Sequence, residues 1–190
     1  MARSKRMTTL PLRSQNGSAA APVADKLAHF DGTNINPRTL LATDFLNHFN
    51  EAIMLLEMLP AAPECKEDFL AWRPMSYCEH FAASRFKHRD LAIAAYEVSD
   101  PMYRHELDEI SAHMTKILTA TIDGMRHELS PRTISVLAES TARWLKPLVA
   151  RAGSVINGEL AGPITRDEPA PQDTVDALFD REVEEADIKS

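Results

Sequence analysis

Through the middle of the chain apolar side chains recur every three or four residues, the period at which an α-helix returns to the same face. Between residues 38 and 59 the stripe is Leu41, Phe45, Phe49, Ala52, Leu56 and Leu59, with Asp44, Asn47, Asn50 and Glu57 opposite. Between 101 and 128 it is Tyr103, Leu107, Ile110, Met114, Ile117, Thr121 and Met125. Between 131 and 157, Ile134, Ala138, Thr141, Leu145, Leu148, Ala152 and Val155 alternate at four and three. That heptad rhythm suits a seam against another helix, either in the same chain or in a homodimer. Pro147 falls on the polar side, so it bends the helix and spares the seam.

The helix boundaries are marked by capping chemistry. Asn36-Pro37, Asp100-Pro101 and Ser130-Pro131 each set a capping side chain before a proline. A side-chain oxygen at the N-cap satisfies a free backbone N–H, and proline at the first helical position loses nothing it needed. Ser76 and Glu79 have the spacing of a capping box. Together these signals predict helices near 38–59, 65–73, 76–84, 86–98, 101–128 and 131–157. Burying one large aliphatic side chain is worth roughly 1.5–3 kcal/mol, so the three long apolar faces predict an all-α fold. The expected architecture is a compact helical bundle of five to six helices over residues 31–157.

Composition agrees and narrows the classes. The 190 residues are 44% hydrophobic but only 6% aromatic, with 6 glycines, which argues against a many-stranded β fold. Residues 1–30 lack an apolar period and read as a disordered arm. Residues 158–171 hold three prolines and two glycines and read as a linker. Net charge is +3 over residues 1–36, -3 over 37–157 and -7 over 158–190. A near-neutral body lacks the basic footprint that nucleic-acid binding needs. No apolar run approaches the ~20 residues that span a bilayer, and the basic N-terminus leads into no apolar stretch of a secretory signal. Cys65 and Cys78 lack the spacing of a disulfide framework and read as reduced thiols, so a cytoplasmic location is expected.

Candidate chemistry in the bundle is sparse. His105, Glu109 and His113 form a row at four-residue spacing, but the row turns away from the stripe of its helix. His48 borders the stripe of the first helix and reads as a core histidine. His48 with His80, or His105 with His113, is the alternative metal or oxygen-binding set; without further ligands no metal or other cofactor is expected. No nucleophile elbow and no phosphate-binding glycine loop is present. The aromatic residues Trp72, Phe81, Phe86, Tyr96 and Trp144 read as core or lid packing. Arg85, Lys87, His88 and Arg89 form a small basic cluster that reads as a solvated helix start.

The most specific pattern lies in residues 172–190, an acidic C-terminal interaction peptide. In Gln172-Asp173-Thr174-Val175-Asp176-Ala177-Leu178-Phe179, the residues Val175, Leu178 and Phe179 have i, i+3, i+4 spacing and make one face of a short helix. Asp173 caps its start. A helix this short is marginal alone, since ~12–15 residues are needed in water, so it would order by docking into a groove. The segment resembles the Ser-Gln-Asp-x-Ile-Asp-Ala-Leu-Leu type of peptide found in flagellar motor switch proteins and chemotaxis phosphatases. In those families the peptide binds the receiver domain of a CheY-like response regulator. The resemblance implies that Gln172 and Asp173 match the polar lead, Val175, Leu178 and Phe179 the apolar anchors, and Asp176 the internal acid. Pro171 stands where Ser is usual and Phe179 where Leu is common. The phosphatase's own acid-and-glutamine signature is absent, because Gln15 and Gln172 both lie outside the bundle. A second phosphatase class pairs an acid with an asparagine three residues on. Asp44 and Asn47 have that spacing, which makes a receiver-directed phosphatase the enzymatic alternative to a non-enzymatic signalling adaptor.

Overall fold

The computed structural model describes residue 30 and residues 32–160. The rest of the arm, the linker beyond residue 160 and the whole 172–190 peptide lie outside the described residues. Among the described residues six α-helices follow one another: α1 (Asn47–Met58), α2 (Lys66–Ala71), α3 (Tyr77–Ala83), α4 (Arg89–Val98), α5 (Pro101–Met125) and α6 (Pro131–Ile156). Two 3₁₀ turns, Thr43–Leu46 and Pro63–Cys65, lead into α1 and α2. The all-α reading holds, and among the described residues no helix is long and apolar enough to cross a membrane.

Three of the four expected caps do what their chemistry dictates. Ser76 Oγ accepts from the Glu79 N–H at 3.3 Å while the Glu79 carboxylate accepts from the Ser76 N–H at 2.8 Å, a complete capping box on α3. Asp100 accepts from the Met102 N–H at 2.9 Å and Ser130 from the Thr133 N–H at 3.1 Å, each ahead of a proline at the first helical position.

The fourth, Asn36, overturns the expected helix of 38–59. Its side-chain oxygen accepts from the N–H groups of Arg38 (2.8 Å) and Thr39 (3.3 Å), but the turn it starts closes at once. The Leu40 N–H bonds back to the Asn36 carbonyl at 2.7 Å, Leu40 adopts φ of 62°, and Ile35 pairs antiparallel with Ala42. The same Asn-Pro signal that opens a helix also opens an Asx turn, and here the left-handed residue ends it. Helix proper therefore begins only at Asn47.

The long helices make the core. α5 and α6 are the most extensive pair, and α6 also packs on α1. The heptad seam is spent inside the chain: Ala138, Thr141, Leu145, Leu148, Ala152 and Val155 are all buried. A homodimer through this helix would have to use another of its faces. Between α5 and α6 the buried hydroxyls of Thr121 and Thr141 meet at 3.0 Å. Thr121 also bonds the Ile117 carbonyl at 2.9 Å, so Thr141 is the donor in the pair. Glu106 with Arg151 and Glu57 with Lys146 tie α6 to α5 and α1. Pro147 is exposed, as its place off the seam predicts.

α6 ends in a Schellman motif. The Gly158 N–H reaches the Val155 carbonyl at 2.9 Å and the Glu159 N–H reaches Ser154 at 2.9 Å, with Gly158 at φ of 89°. A Cβ at Gly158 would stand 3.1 Å from the Arg38 side chain, which donates to the Tyr103 hydroxyl at 3.1 Å. Gly158→Ala should therefore lower stability by about 1–2 kcal/mol, read as a lower urea midpoint. An unchanged midpoint would contradict this account of the helix end.

Candidate functional site

α1 presents a stripe in which Asn47, Glu51, Met54 and Met58 follow at four, three and four residues, with His48 and Leu55 flanking it on the inner side. The connection from α2 to α3 folds across this helix. Trp72 leads it, with its ring stacked on His48 at 4.7 Å between centroids and its Nε1 donating to the His48 carbonyl at 3.2 Å. Proline at position 74 keeps the segment extended, and Met75 comes down beside α1.

Two clefts result, meeting at His48, Glu51 and Met75. The larger, about 460 Å³, runs between α1 and the 68–75 stretch and includes Met54, Leu55 and Asp68. The smaller, about 210 Å³, runs between α1 and α3 and adds Asn47, His80 and Ser84. His48 is only 4% exposed, yet its Nε2 has no hydrogen-bond partner. Burial, then the nearby His80, lower its pKa to about 4, against the Arg73 carbonyl, which favours a ring proton. At neutral pH the ring is thus neutral. Its Nε2 is closed off from the cleft as well as unpartnered. His80, at 5.9 Å between ring centroids, is also lowered by burial, opposed by the carbonyl of Asp44 and the carboxylates of Asp44 and Glu51.

A third cleft, about 480 Å³, opens between α5 and the 74–79 stretch. Its Tyr96 hydroxyl donates to the Asp108 carboxylate at 2.7–2.8 Å, and Tyr77 stacks on Tyr96 at 4.6 Å. Burial pushes the Asp108 carboxyl up, against its bond from Tyr96. Burial also pushes the Tyr96 and Tyr77 hydroxyls up. Both faces of this arrangement are used internally: Tyr77 takes one partner ring after another, and Arg104 lies over Tyr96 at 5.7 Å. Burial and the surrounding acids Glu97, Asp108 and Glu79 raise the Cys78 thiol, the opposite of what a nucleophile needs.

The sequence-derived candidates separate. Asp44 sits in the first 3₁₀ turn, half-buried, with Oδ2 unpartnered. Asn47 is exposed on the small cleft one turn on. His48 and His80 come together as rings in contact. His105 is exposed and His113 half-buried on α5, outside the clefts that His48 and His80 line. Among the described residues no group of three His, Cys, Asp or Glu side chains is placed to hold a metal. Gln172, Asp173, Val175, Asp176, Leu178 and Phe179 lie outside the described residues. Trp72 reads from the sequence only as core or lid packing, and Glu51, Arg73 and Met75 carried no sequence signal, since their roles arise only from the fold of residues 72–75 across α1.

In comparisons with known proteins, no protein-family model, no curated protein and no solved structure matches the chain.

The lowered His48 has a thermodynamic consequence. Its folded pKa lies below the unfolded value, so the unfolded chain takes up a proton first as pH falls. Stability is then full above about pH 6.5 and declines toward pH 4, by up to about 3 kcal/mol. His80 acts in the same direction. Urea midpoints should drop from pH 7 to pH 4.5, and His48→Phe should flatten that slope. A slope unaltered by the substitution would show that His48 is not the titrating group.

Proposed function

We propose that the chain is a non-enzymatic bacterial signalling adaptor, cytoplasmic in location, that docks through residues 172–179 on the receiver domain of a CheY-like response regulator in chemotaxis, motility or two-component signalling. The observation that carries the reading is the tail sequence itself. Val175, Leu178 and Phe179 form an apolar trio at helical spacing, set among Asp173, Asp176 and Asp180. Two features support it. α6 is stopped at Gly158, fourteen residues ahead of Gln172 in the sequence. The intervening sequence is rich in proline and glycine, the composition of a spacer. Helix-in-groove binding concentrates its energy in a few anchors. A labelled peptide of residues 170–183 should therefore bind phosphorylated receiver domains, and Leu178→Ala with Phe179→Ala should weaken binding by about tenfold or more. Absence of binding, or binding indifferent to the double substitution, defeats the proposal.

A second reading is favoured by one observation: Asp44 keeps a buried carboxylate oxygen without a partner, one turn before the exposed amide of Asn47. In a receiver-directed phosphatase that amide would orient the attacking water, and the carboxylate would face the partner's cation or lysine. Decay of a phosphorylated receiver should then be faster with the protein than without it, and Asn47→Ala should abolish the difference. A decay rate unaffected by the wild-type protein removes this reading and leaves the adaptor.

A further inference from the structure

We propose that the two clefts meeting at His48 form one docking groove, and that its occupant is a basic amphipathic helix of a partner protein. The inference is independent of the tail and of the receiver reading. The apolar equipment comes first. Met54 and Met58 are 52% and 43% exposed on successive turns of α1, and Leu55 and Met75 continue the surface inward. Thioether side chains are unbranched and polarizable, which lets such a surface fit a helix face. Methionines left this open on one stripe mark an interaction site more often than scattered single exposures do.

The polar equipment gives the sign of the partner. The charged groups that the groove leaves unpaired are negative: the exposed carboxylates of Glu51 and Asp68. Neither carboxylate takes part in an ion pair among the described residues. The one cationic side chain on the groove, Arg73, is turned back on its own chain, donating to the carbonyls of Leu70 (2.8 Å) and Trp72 (2.7 Å). The missing complement is thus a positively charged donor. A Lys or Arg one turn from apolar anchors supplies it, reaching Glu51 while the anchors fill the space beside Met54 and Met75. The chain's own C-terminal segment has the wrong sign, with net charge -7 over residues 158–190.

The probe is a synthetic Leu/Lys amphipathic helix of about 18 residues, five turns long, titrated against the full chain. Its Leu/Glu counterpart serves as the control, and Trp72 in the groove wall gives a fluorescence signal. The Leu/Lys helix should bind and the Leu/Glu helix should not. Glu51→Gln with Asp68→Asn should weaken binding on the order of tenfold, and Met54→Ser should weaken it as well. Neutralising the tail with Asp173→Asn, Asp176→Asn and Asp180→Asn should leave it unchanged. The groove proposal is overturned by absence of binding, by equal binding of the two helices, or by binding that survives the groove substitutions and fails with the tail ones. The last result indicts the tail charge and leaves the receiver reading standing.

Discussion

A stretch of chain without helical hydrogen bonds runs through the interior of this bundle, and its backbone polar groups have to be satisfied one by one. Ile35, Thr39, Leu41 and Ala42 are all buried, and the turn's own pairing, Ile35 against Ala42 and the Asn36 N–H on the Leu41 carbonyl, leaves other groups of the segment unanswered. A buried N–H or C=O without a partner costs about 1–3 kcal/mol, so side chains from elsewhere are recruited. The Tyr77 hydroxyl accepts from the Ala42 N–H at 2.8 Å. The Ser99 hydroxyl donates to the Thr39 carbonyl at 2.8 Å. Thr39 accepts from the Leu41 N–H at 3.4 Å and donates to the Ile156 carbonyl at 2.6 Å. Three distant parts of the chain are thereby fixed to one short segment, and that segment decides where α1 begins.

The position of α1 in turn creates the site. Were the helix to start at residue 38, as its apolar stripe alone suggests, its first turns would occupy the space that Ile35 and the Asn36 turn now fill. Starting at Asn47, it presents His48 in its first turn, where the Trp72 ring can cover it and the Arg73 carbonyl can face it. Burial keeps the imidazole neutral at neutral pH, and the carboxylates beside it stay on the open side of the cleft. The same burial elsewhere gives no site: Tyr96 and Asp108 satisfy each other, and Cys78 is held as a thiol. The difference between clefts lies in which polar groups have already been answered from within.

Much of the fold was legible in the sequence because it rests on local rules. Ser76, Asp100 and Ser130 cap the helices they precede, and the stripes of 101–128 and 131–157 name their own buried residues. Asn36 misled because an Asx turn and a helix N-cap use the same side-chain oxygen on the same nearby N–H groups. Only the left-handed Leu40 separates them, and leucine carries no sign of that conformation. The border position of His48 on its stripe foretold its burial. Its partner Trp72, and the groove shared with Glu51 and Met75, come from a segment folding across a helix some twenty residues earlier in sequence, which no periodicity records. The tail motif stands the other way round: it is legible as a pattern and lies outside the described residues.

The bond from Thr39 to Ile156 joins the first turn of the described unit to the last turn of its final helix. Arg38 and Tyr103 close over Gly158 at the same end. Tension applied between the two ends of the bundle would accordingly be borne by this small clasp. The long helices would feel none of it until the clasp had parted, so a pull on either flank is mechanically insulated from the groove on α1.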